Sequence, residues 1–169
     1  FGIHFGAPFE KNLTVEVPEG WLCSSLEIDA ASAKLEVHDL TINEVEIDTA
    51  SGAIGFENCS VDSLDVDTAS GDISFFGSLN ILDCDAASAN IRLELNNVPR
   101  SMDLDTASGD LDVTLPEDAG FTVTMDTMSG DFESDFATTS RNGSYVAGNG
   151  RCRIDVDAMS GDVIIRKSA

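Results

Sequence analysis

Apolar and polar residues alternate in short stretches that recur along most of this 169-residue chain. One pattern is written seven times: LEIDAASAKLEV, VEIDTASGAIGF, LDVDTASGDISF, LDCDAASANIRL, MDLDTASGDLDV, VTMDTMSGDFES and IDVDAMSGDVII. Counted from the shared Asp, here called position 0, positions −3, −1 and +6 are apolar in every copy. Alternation with a period of two predicts strands that have one face in a core.

The shared Asp residues recur at a nearly constant interval. Five of the six intervals are 18 to 21 residues long, and the last is 31. A regular period over nearly the whole chain indicates stacked repeats. We therefore predict an all-β fold, a single-stranded right-handed parallel β-solenoid (β-helix) of about seven rungs, in which each strand pairs with its equivalent one rung away. The predicted ladder of structural corner residues is Asp29, Asp48, Asp67, Asp85, Asp105, Asp126 and Asp157.

The segment D-[TA]-[AM]-S-[GA] separates the two apolar stretches of each copy and is predicted to form a corner. Its Gly can adopt the positive φ that a chain reversal needs. The short Asp side chain at position 0 is expected to accept hydrogen bonds from backbone N–H groups of this corner, as in an Asx turn, with the Ser assisting.

One domain is predicted over the whole chain. Its expected parts are a cap and first strand (1–25), six regular rungs (26–134), an insertion (135–150) and a last rung (151–169). The alternating segment from Leu13 to Val17 is expected to form a strand that covers the first rung, because an open solenoid end exposes unpaired backbone. The pair Asn142-Gly143 predicts a hairpin turn in the insertion.

The chain is strongly acidic, with 31 Asp and Glu against 9 Lys and Arg and a net charge of −22. Binding to phosphates needs clustered basic residues, so a nucleic-acid partner is excluded. A hydrophobic content of 42% argues against disorder.

No stretch approaches the roughly 20 apolar residues that span a bilayer. The sequence opens on Phe1 without a Met, and we expect an excised extracytoplasmic segment whose membrane anchor lies upstream.

Four cysteines are present, at Cys23, Cys59, Cys84 and Cys152. They show no CxxC spacing and have no His cluster beside them, which argues against zinc and redox motifs. Cys84 stands at position −1, where other copies carry Ile, Val or Leu, and is expected to be a small core residue. The spacing leaves the disulfide state of the four open.

Much of the acid recurs at position 0, at position −2 and, in four copies, at position +5. In an in-register stack, equivalent carboxylates repel by about 0.9 kcal/mol per pair even in bulk water. Asx hydrogen bonds are the preferred explanation of how position 0 is tolerated. The alternative is weak, exchangeable Ca²⁺ between neighbouring rungs, because Ca²⁺ binds six to eight oxygens and a strand face supplies only some of them. The candidate ligands are Asp65, Asp67, Asp83, Asp85, Asp103 and Asp105.

The same columns form a rigid negative face, which suits a cationic partner such as a cationic peptide or a basic component of the cell surface. The simpler interpretation is that the acid only keeps an edge-rich rod soluble. The sequence leaves the partner unidentified and a homo-oligomer open.

The opening LTVEVPEGW, the recurring DTASGD and the closing GNGRCRIDVDAMSGDVII resemble a bacterial family over residues 12–167. The family is DUF4097, also called toastrack domains and labelled adhesins by analogy. The resemblance implies a β-solenoid fold, frequent attachment to the cell envelope through an N-terminal segment, and envelope-stress sensing in some relatives. It implies no catalytic residues.

Enzyme chemistry finds little support in the residues. The recurring Ser has no recurring His partner, which argues against nucleophilic catalysis. The carboxylates repeat from copy to copy, whereas an active site usually breaks a structural pattern. We predict a non-enzymatic binding or structural module without a firm cofactor. The alternative is a glycan-binding or glycan-active protein whose site lies in the insertion over 136–150.

Overall fold

The computed structural model describes residues 13–18, 20–141 and 143–168, and these contain fourteen strands and no helix. No helix in the described part could therefore cross a membrane. The strands are β1 (Leu22–Ala30), β2 (Leu35–His38), β3 (Thr41–Ser51), β4 (Ile54–Ser70), β5 (Ile73–Ser88), β6 (Ile91–Leu95), β7 (Ser101–Ser108), β8 (Leu111–Leu115), β9 (Phe121–Ser129), β10 (Phe132–Ser134), β11 (Thr138–Arg141), β12 (Ser144–Ala147), β13 (Cys152–Ser160) and β14 (Val163–Lys167).

All fourteen strands belong to one sheet, which follows the repeats as a solenoid. Strands from neighbouring copies are parallel and in register, so position 0 of one copy lies beside position 0 of the next. β1 pairs with β3, β3 with β4, β4 with β5, and β5 with β7. The predicted all-β, solenoid-like fold is confirmed. The right hand of the coil and the number of rungs stay predictions.

The spatial order of the copies differs from their order in the sequence. The seventh copy lies between the fifth and the sixth, since β13 pairs with both β7 and β9, and β14 with both β8 and β10. The long last interval of the repeat makes this possible. Residues 135–150 leave the end of the sixth copy, form a hairpin, and return the chain to the gap between the two preceding rungs.

The inner face of the coil is a continuous apolar core. Positions −3 and −1 are fully buried in the inner rungs, as at Val45 and Ile47, whose side chains are 0% and 1% exposed. Phe56 and Phe75 stack on successive rungs with ring centroids 5.4 Å apart. Cys84 is 1% exposed and belongs to this core, where its sequence position placed it.

The predicted corner begins four residues too early. The strands continue through Thr or Ala at +1 to Ser at +3, and the chain turns only at +4 and +5. Thr49 and Thr68, at +1, face the core and are 7% and 6% exposed. The Oγ1 of Thr49 donates to the carbonyl of Ser51, 3.2 Å away, so a buried hydroxyl is satisfied within its own strand.

The two ends of the coil differ. At one end, β12 pairs antiparallel with the first half of β9, and β11 pairs antiparallel with β12. Asn142 lies outside the described residues. At the other end, the predicted strand from Leu13 to Val17 is not formed: residues 13–18 lie outside the strands, and Leu13 and Val15 are exposed. Its alternation of apolar and polar residues is real, but no described strand pairs with it.

Candidate functional site: the acidic face

Strand geometry places two columns of acid on the outer surface. Because positions −3, −1 and +1 face the core, positions −2, 0 and +2 face solvent. The position-0 column stacks in the spatial order Asp29, Asp48, Asp67, Asp85, Asp105, Asp157 and Asp126. The position −2 column is Glu27, Glu46, Asp65, Asp83, Asp103 and Asp155, and ends at Thr124.

The position-0 column forms one wall of an open groove of about 1020 Å³ that runs along the coil. The opposite wall is formed by apolar residues at +2, all but one of them Ala, and Thr or Ala at +1 lies between the walls. The +2 residues in this wall are Ala31, Ala50, Ala69, Ala87, Ala107 and Met159. A linear ligand could therefore meet carboxylates on one side and methyl groups on the other.

The acids in the middle of the columns are electrostatically frustrated. Partial burial, followed by the charges of Asp48 and Asp85, raises the pKa of Asp67 above its ordinary value of 3.8. Partial burial and the neighbouring charge of Asp157 raise the pKa of Asp105. The charge of Glu27 is the largest cause of the raised pKa of Glu46. Each of these shifts means that the charged carboxylate is disfavoured in the folded chain.

This frustration predicts that the protein is more stable in mild acid than at neutral pH. Five acids have raised pKa values, at Glu46, Asp65, Asp67, Asp83 and Asp105. Only Glu36, beside Lys34, has a lowered one among the shifted acids of the described chain. A raised pKa makes the folded state bind more protons than the unfolded state. The stability of the folded chain therefore falls as the pH rises through the raised pKa values.

We therefore expect Tm to rise as the pH is lowered from 8 toward the raised pKa values of these acids, measured by thermal melts followed by circular dichroism. High salt should reduce this rise, because it screens charges on the surface. A Tm that falls steadily from pH 8 to pH 5 would show that other groups dominate the proton linkage.

The predicted Asx turns at position 0 are not formed. The hydrogen bonds of the described residues include none from a backbone N–H to a position-0 carboxylate. The reason is geometric: position 0 lies within the strand and its side chain points outward, away from a corner that begins four residues later. The repulsion in this column is therefore not offset by the mechanism that the sequence suggested.

The side chains that hydrogen-bond to the corner backbone belong to a different column, at position +5. From the third copy on, the side chain at +5 accepts a hydrogen bond from the backbone N–H at +5 of the next rung, where there is one. Asn90 Oδ1 accepts from the N–H of Asp110 at 3.2 Å, and Asp110 Oδ1 accepts from that of Asp162 at 3.0 Å. The column is Asp72, Asn90, Asp110, Asp162 and Asp131. The recurrence of Asp or Asn directly after the corner Gly or Ala was the sequence signal for this ladder.

Because Asn90 already occupies the ladder, Asp110→Asn should be tolerated and Asp110→Ala should not. The Asn variant keeps the Oδ1 acceptor and removes one charge, so we expect no loss of stability. The Ala variant leaves the N–H of Asp162 without its acceptor and should lower the free energy of unfolding by about 1 kcal/mol. Urea denaturation of both variants measures the difference. Equal stability of the two would show that water replaces the side chain at this exposed corner.

The proposed calcium ligands lie in register but do not gather around a point. Asp65 pairs with Asp83 and Asp67 with Asp85 on adjacent rungs. Among the described residues, no group of three or more His, Cys, Asp or Glu side chains is placed to hold a metal ion. The sixfold to eightfold oxygen coordination that Ca²⁺ prefers would have to come mostly from water. Calcium binding by Asp65, Asp67, Asp83, Asp85, Asp103 and Asp105 stays a prediction.

Among the basic side chains that the structure describes, none forms an ion pair with an Asp at position 0. Lys34 pairs with Glu36, Arg92 with Glu94, and Arg166 with Asp112, all on or directly before the strands that follow the corner. Arg153 pairs with Asp155 at 2.7 Å and so reaches only the position −2 column. No position-0 carboxylate therefore has a basic partner among the described side chains.

The other candidate sites are parts of the core. All four cysteines are buried and free, and burial raises the pKa of Cys84 and of Cys152 to about 12. Such thiols are poor nucleophiles. In the insertion, Tyr145 stacks on Phe132 at 4.2 Å and Phe136 is buried, so its aromatic rings help to close the end of the coil.

These features define a class: an all-β repeat module with a negatively charged outer groove. The family model "Toastrack DUF4097" matches residues 10–166, and the chain belongs to this family. A solved structure from Clostridium sporogenes, named "putative cell adhesion protein", is similar in fold with a TM-score of 0.54 and 8% identity. The match covers 92% of this chain and 97% of that one. No curated protein matches the chain.

Proposed function

We propose that this chain is a non-enzymatic, adhesin-like module that works outside the cytoplasm and uses the acidic groove to bind a cationic partner. The uncompensated position-0 column, aligned in a groove with an apolar wall, carries the proposal. A ligand that brings positive charge to this column relieves repulsion that the folded chain otherwise bears, and this relief adds to the attraction between the partners.

The groove favours a linear partner. Equivalent carboxylates on neighbouring rungs are about 4.8 Å apart along the coil. An extended peptide with several Lys or Arg residues, or a chain of basic groups on a bacterial surface, can meet several rungs at once. Its affinity should fall with ionic strength, since surface charges are screened within about 10 Å at 0.1 M salt.

The family and the fold support a setting outside the cytoplasm. We propose a cell-envelope location with attachment through a segment upstream of Phe1, as the resemblance to toastrack domains implies. The name of the Clostridium sporogenes structure supports an adhesion-type role outside the cytoplasm. In this proposal the seven copies form one right-handed coil and one domain, with parts at 1–25, 26–134, 135–150 and 151–169.

The test compares two triple variants that lose the same charge. The first, Asp67→Asn, Asp85→Asn and Asp105→Asn, removes acid from the groove wall. The control, Asp72→Asn, Asp110→Asn and Asp162→Asn, removes it from the corner ladder and keeps every acceptor oxygen. With hexalysine as the probe, we expect isothermal titration calorimetry to show an affinity about tenfold lower for the first variant and little change for the control.

The comparison separates a site from bulk charge. Equal losses in the two variants would show that hexalysine responds to net charge alone. No measurable binding to the unmodified chain would overturn the proposed function.

A further inference from the structure

β1 has a partner along one edge only. It pairs with β3, and no residue among 13–18, 20–141 and 143–168 pairs with its other edge. An edge strand of nine residues with free backbone N–H and C=O groups is a template for another strand. At the far end of the coil, β12 covers residues 121–124 of β9, and the strands left with one partner there, β10 and β11, have only three and four residues.

The apolar side of β1 is also incompletely covered. Leu26 and Ile28 are half-buried, although the equivalent Val45 and Ile47 one rung further in are fully buried. A strand added to this edge with an apolar residue at every second position would bury these side chains as the inner rungs bury theirs.

The outer side of β1 determines which strand fits. Glu27 and Asp29 point outward, in register with Glu46 and Asp48 on β3. A further strand would place its own outward side chains in register with these acids. Lys34, the basic residue of this rung, is engaged with Glu36 at 2.6 Å. Lys or Arg on the added strand would therefore meet carboxylates that lack a described basic partner.

We propose that the outer edge of β1 binds an extended segment of a partner protein in which apolar side chains alternate with Lys or Arg. The inference rests on the proposed function, since it assigns the cationic partner a conformation and a position. Backbone hydrogen bonds to β1 supply affinity, and the alternation supplies specificity. The apolar side chains cover Leu26 and Ile28, and the basic ones face Glu27 and Asp29.

Two other occupants fit less well. A second copy would bring its own acidic β1, so that like charges would lie opposite each other across the new pair. Residues 13–17 of the same chain carry Glu16 and no basic residue, and their Leu13 and Val15 are exposed. A basic segment from another protein has the charge that this edge lacks.

The probe is a capped ten-residue peptide of alternating Val and Lys. Its twin carries N-methyl groups on every second amide, so that length and charge are the same but strand pairing along that edge is blocked. Fluorescence anisotropy gives both dissociation constants, and hydrogen exchange followed by mass spectrometry shows where each peptide binds. We expect the unmodified peptide to bind about tenfold more tightly than its twin and to slow exchange in residues 22–30.

Two variants that lose the same charge show where on the chain the difference between the two peptides arises. Glu27→Gln with Asp29→Asn removes acid at the edge, and Asp103→Asn with Asp105→Asn removes it from the middle of the same columns. The ratio of the two dissociation constants should fall toward one in the edge variant and stay near tenfold in the central variant. A ratio that falls equally in both variants would overturn the inference.

The remaining outcomes separate the inference from the proposed function. If peptide and twin bind the unmodified chain equally well, the groove binds cations but the edge does not, so the inference is wrong and the proposed function stands. If neither binds, both are wrong. If β1 exchanges as slowly as β3 in the free chain, or becomes protected as the chain's own concentration rises, the edge already has another occupant and the inference is overturned.

Discussion

Deletion of residues 151–168 is expected to unfold the sixth copy and the insertion as well, instead of shortening the coil by one rung. These residues hold β13 and β14, which lie between the strands of the fifth and sixth copies. Without them, β9 and β10 keep no parallel partner, and β11 and β12 stay attached only to β9. The last copy in the sequence is therefore an internal support of the fold.

The energetic loss is large. Five apolar side chains of this copy are 0% to 4% exposed: Cys152, Ile154, Val156, Val163 and Ile165. Each buried side chain of this kind contributes about 1.5–3 kcal/mol, so together they supply about 10 kcal/mol. A typical domain has a net stability of about 5–15 kcal/mol. We expect limited proteolysis to cleave the truncated chain throughout residues 116–150.

Deletion of the first rung, through residue 39, is the control. β1 and β2 each pair on one side only, so their removal moves the edge of the sheet to the next rung and breaks no inner pairing. This variant should keep one cooperative transition at a lower Tm. If the two deletions have similar effects, the seventh copy does not act as an inner rung.

The periodicity predicted the strands because alternation is a local property of the chain. Each copy contains enough apolar positions to define an inward face, and stacking identical copies in register follows from burying those faces together. The same logic placed Cys84 correctly, since a thiol at position −1 has the size and polarity of a core residue.

The sequence pattern placed the corner too early because Thr at +1 is classed as a polar residue and so looks like the end of the apolar alternation. Its side chain is buried, and its hydroxyl donates to a carbonyl of the same strand, so it continues the inward alternation that Leu or Val began. Once Thr68 is counted as an inward residue, Asp67 becomes a mid-strand residue and the Asx turn is excluded by geometry.

The order of the rungs depends on contacts between distant residues, which the sequence pattern does not contain. The register of β13 with β7 and β9 is equally good on both sides, because all three present the same alternation. The length of the last interval was the one local sign that the chain takes a different path. The charge pattern likewise showed three acidic columns but not the groove between position 0 and position +2.

Gly109→Ala is expected to lower the free energy of unfolding by about 3–5 kcal/mol, a large effect for one methyl group. Gly109 stands at +4, where its φ is +142° and an added Cβ would lie 1.8 Å from the carbonyl oxygen of Ala89 on the neighbouring rung. That oxygen cannot move alone, because the corners are joined along the coil: the N–H of Ala89 bonds to Ser108 and that of Gly109 to Ser160. The added methyl must therefore displace a whole corner.

The matched control is Gly20→Ala, since Gly20 also has a positive φ of +73° but nothing within 4 Å of an added Cβ. This substitution should lower the free energy of unfolding only by the backbone strain, about 1–2 kcal/mol. Urea denaturation of both variants isolates the collision at the corner. Ala33 and Ala89 occupy the +4 position of other copies without a positive φ, so the corner has a second conformation that accepts a side chain. If Gly109→Ala costs no more than Gly20→Ala, the fifth copy can adopt that conformation, and Gly at +4 is replaceable in this column.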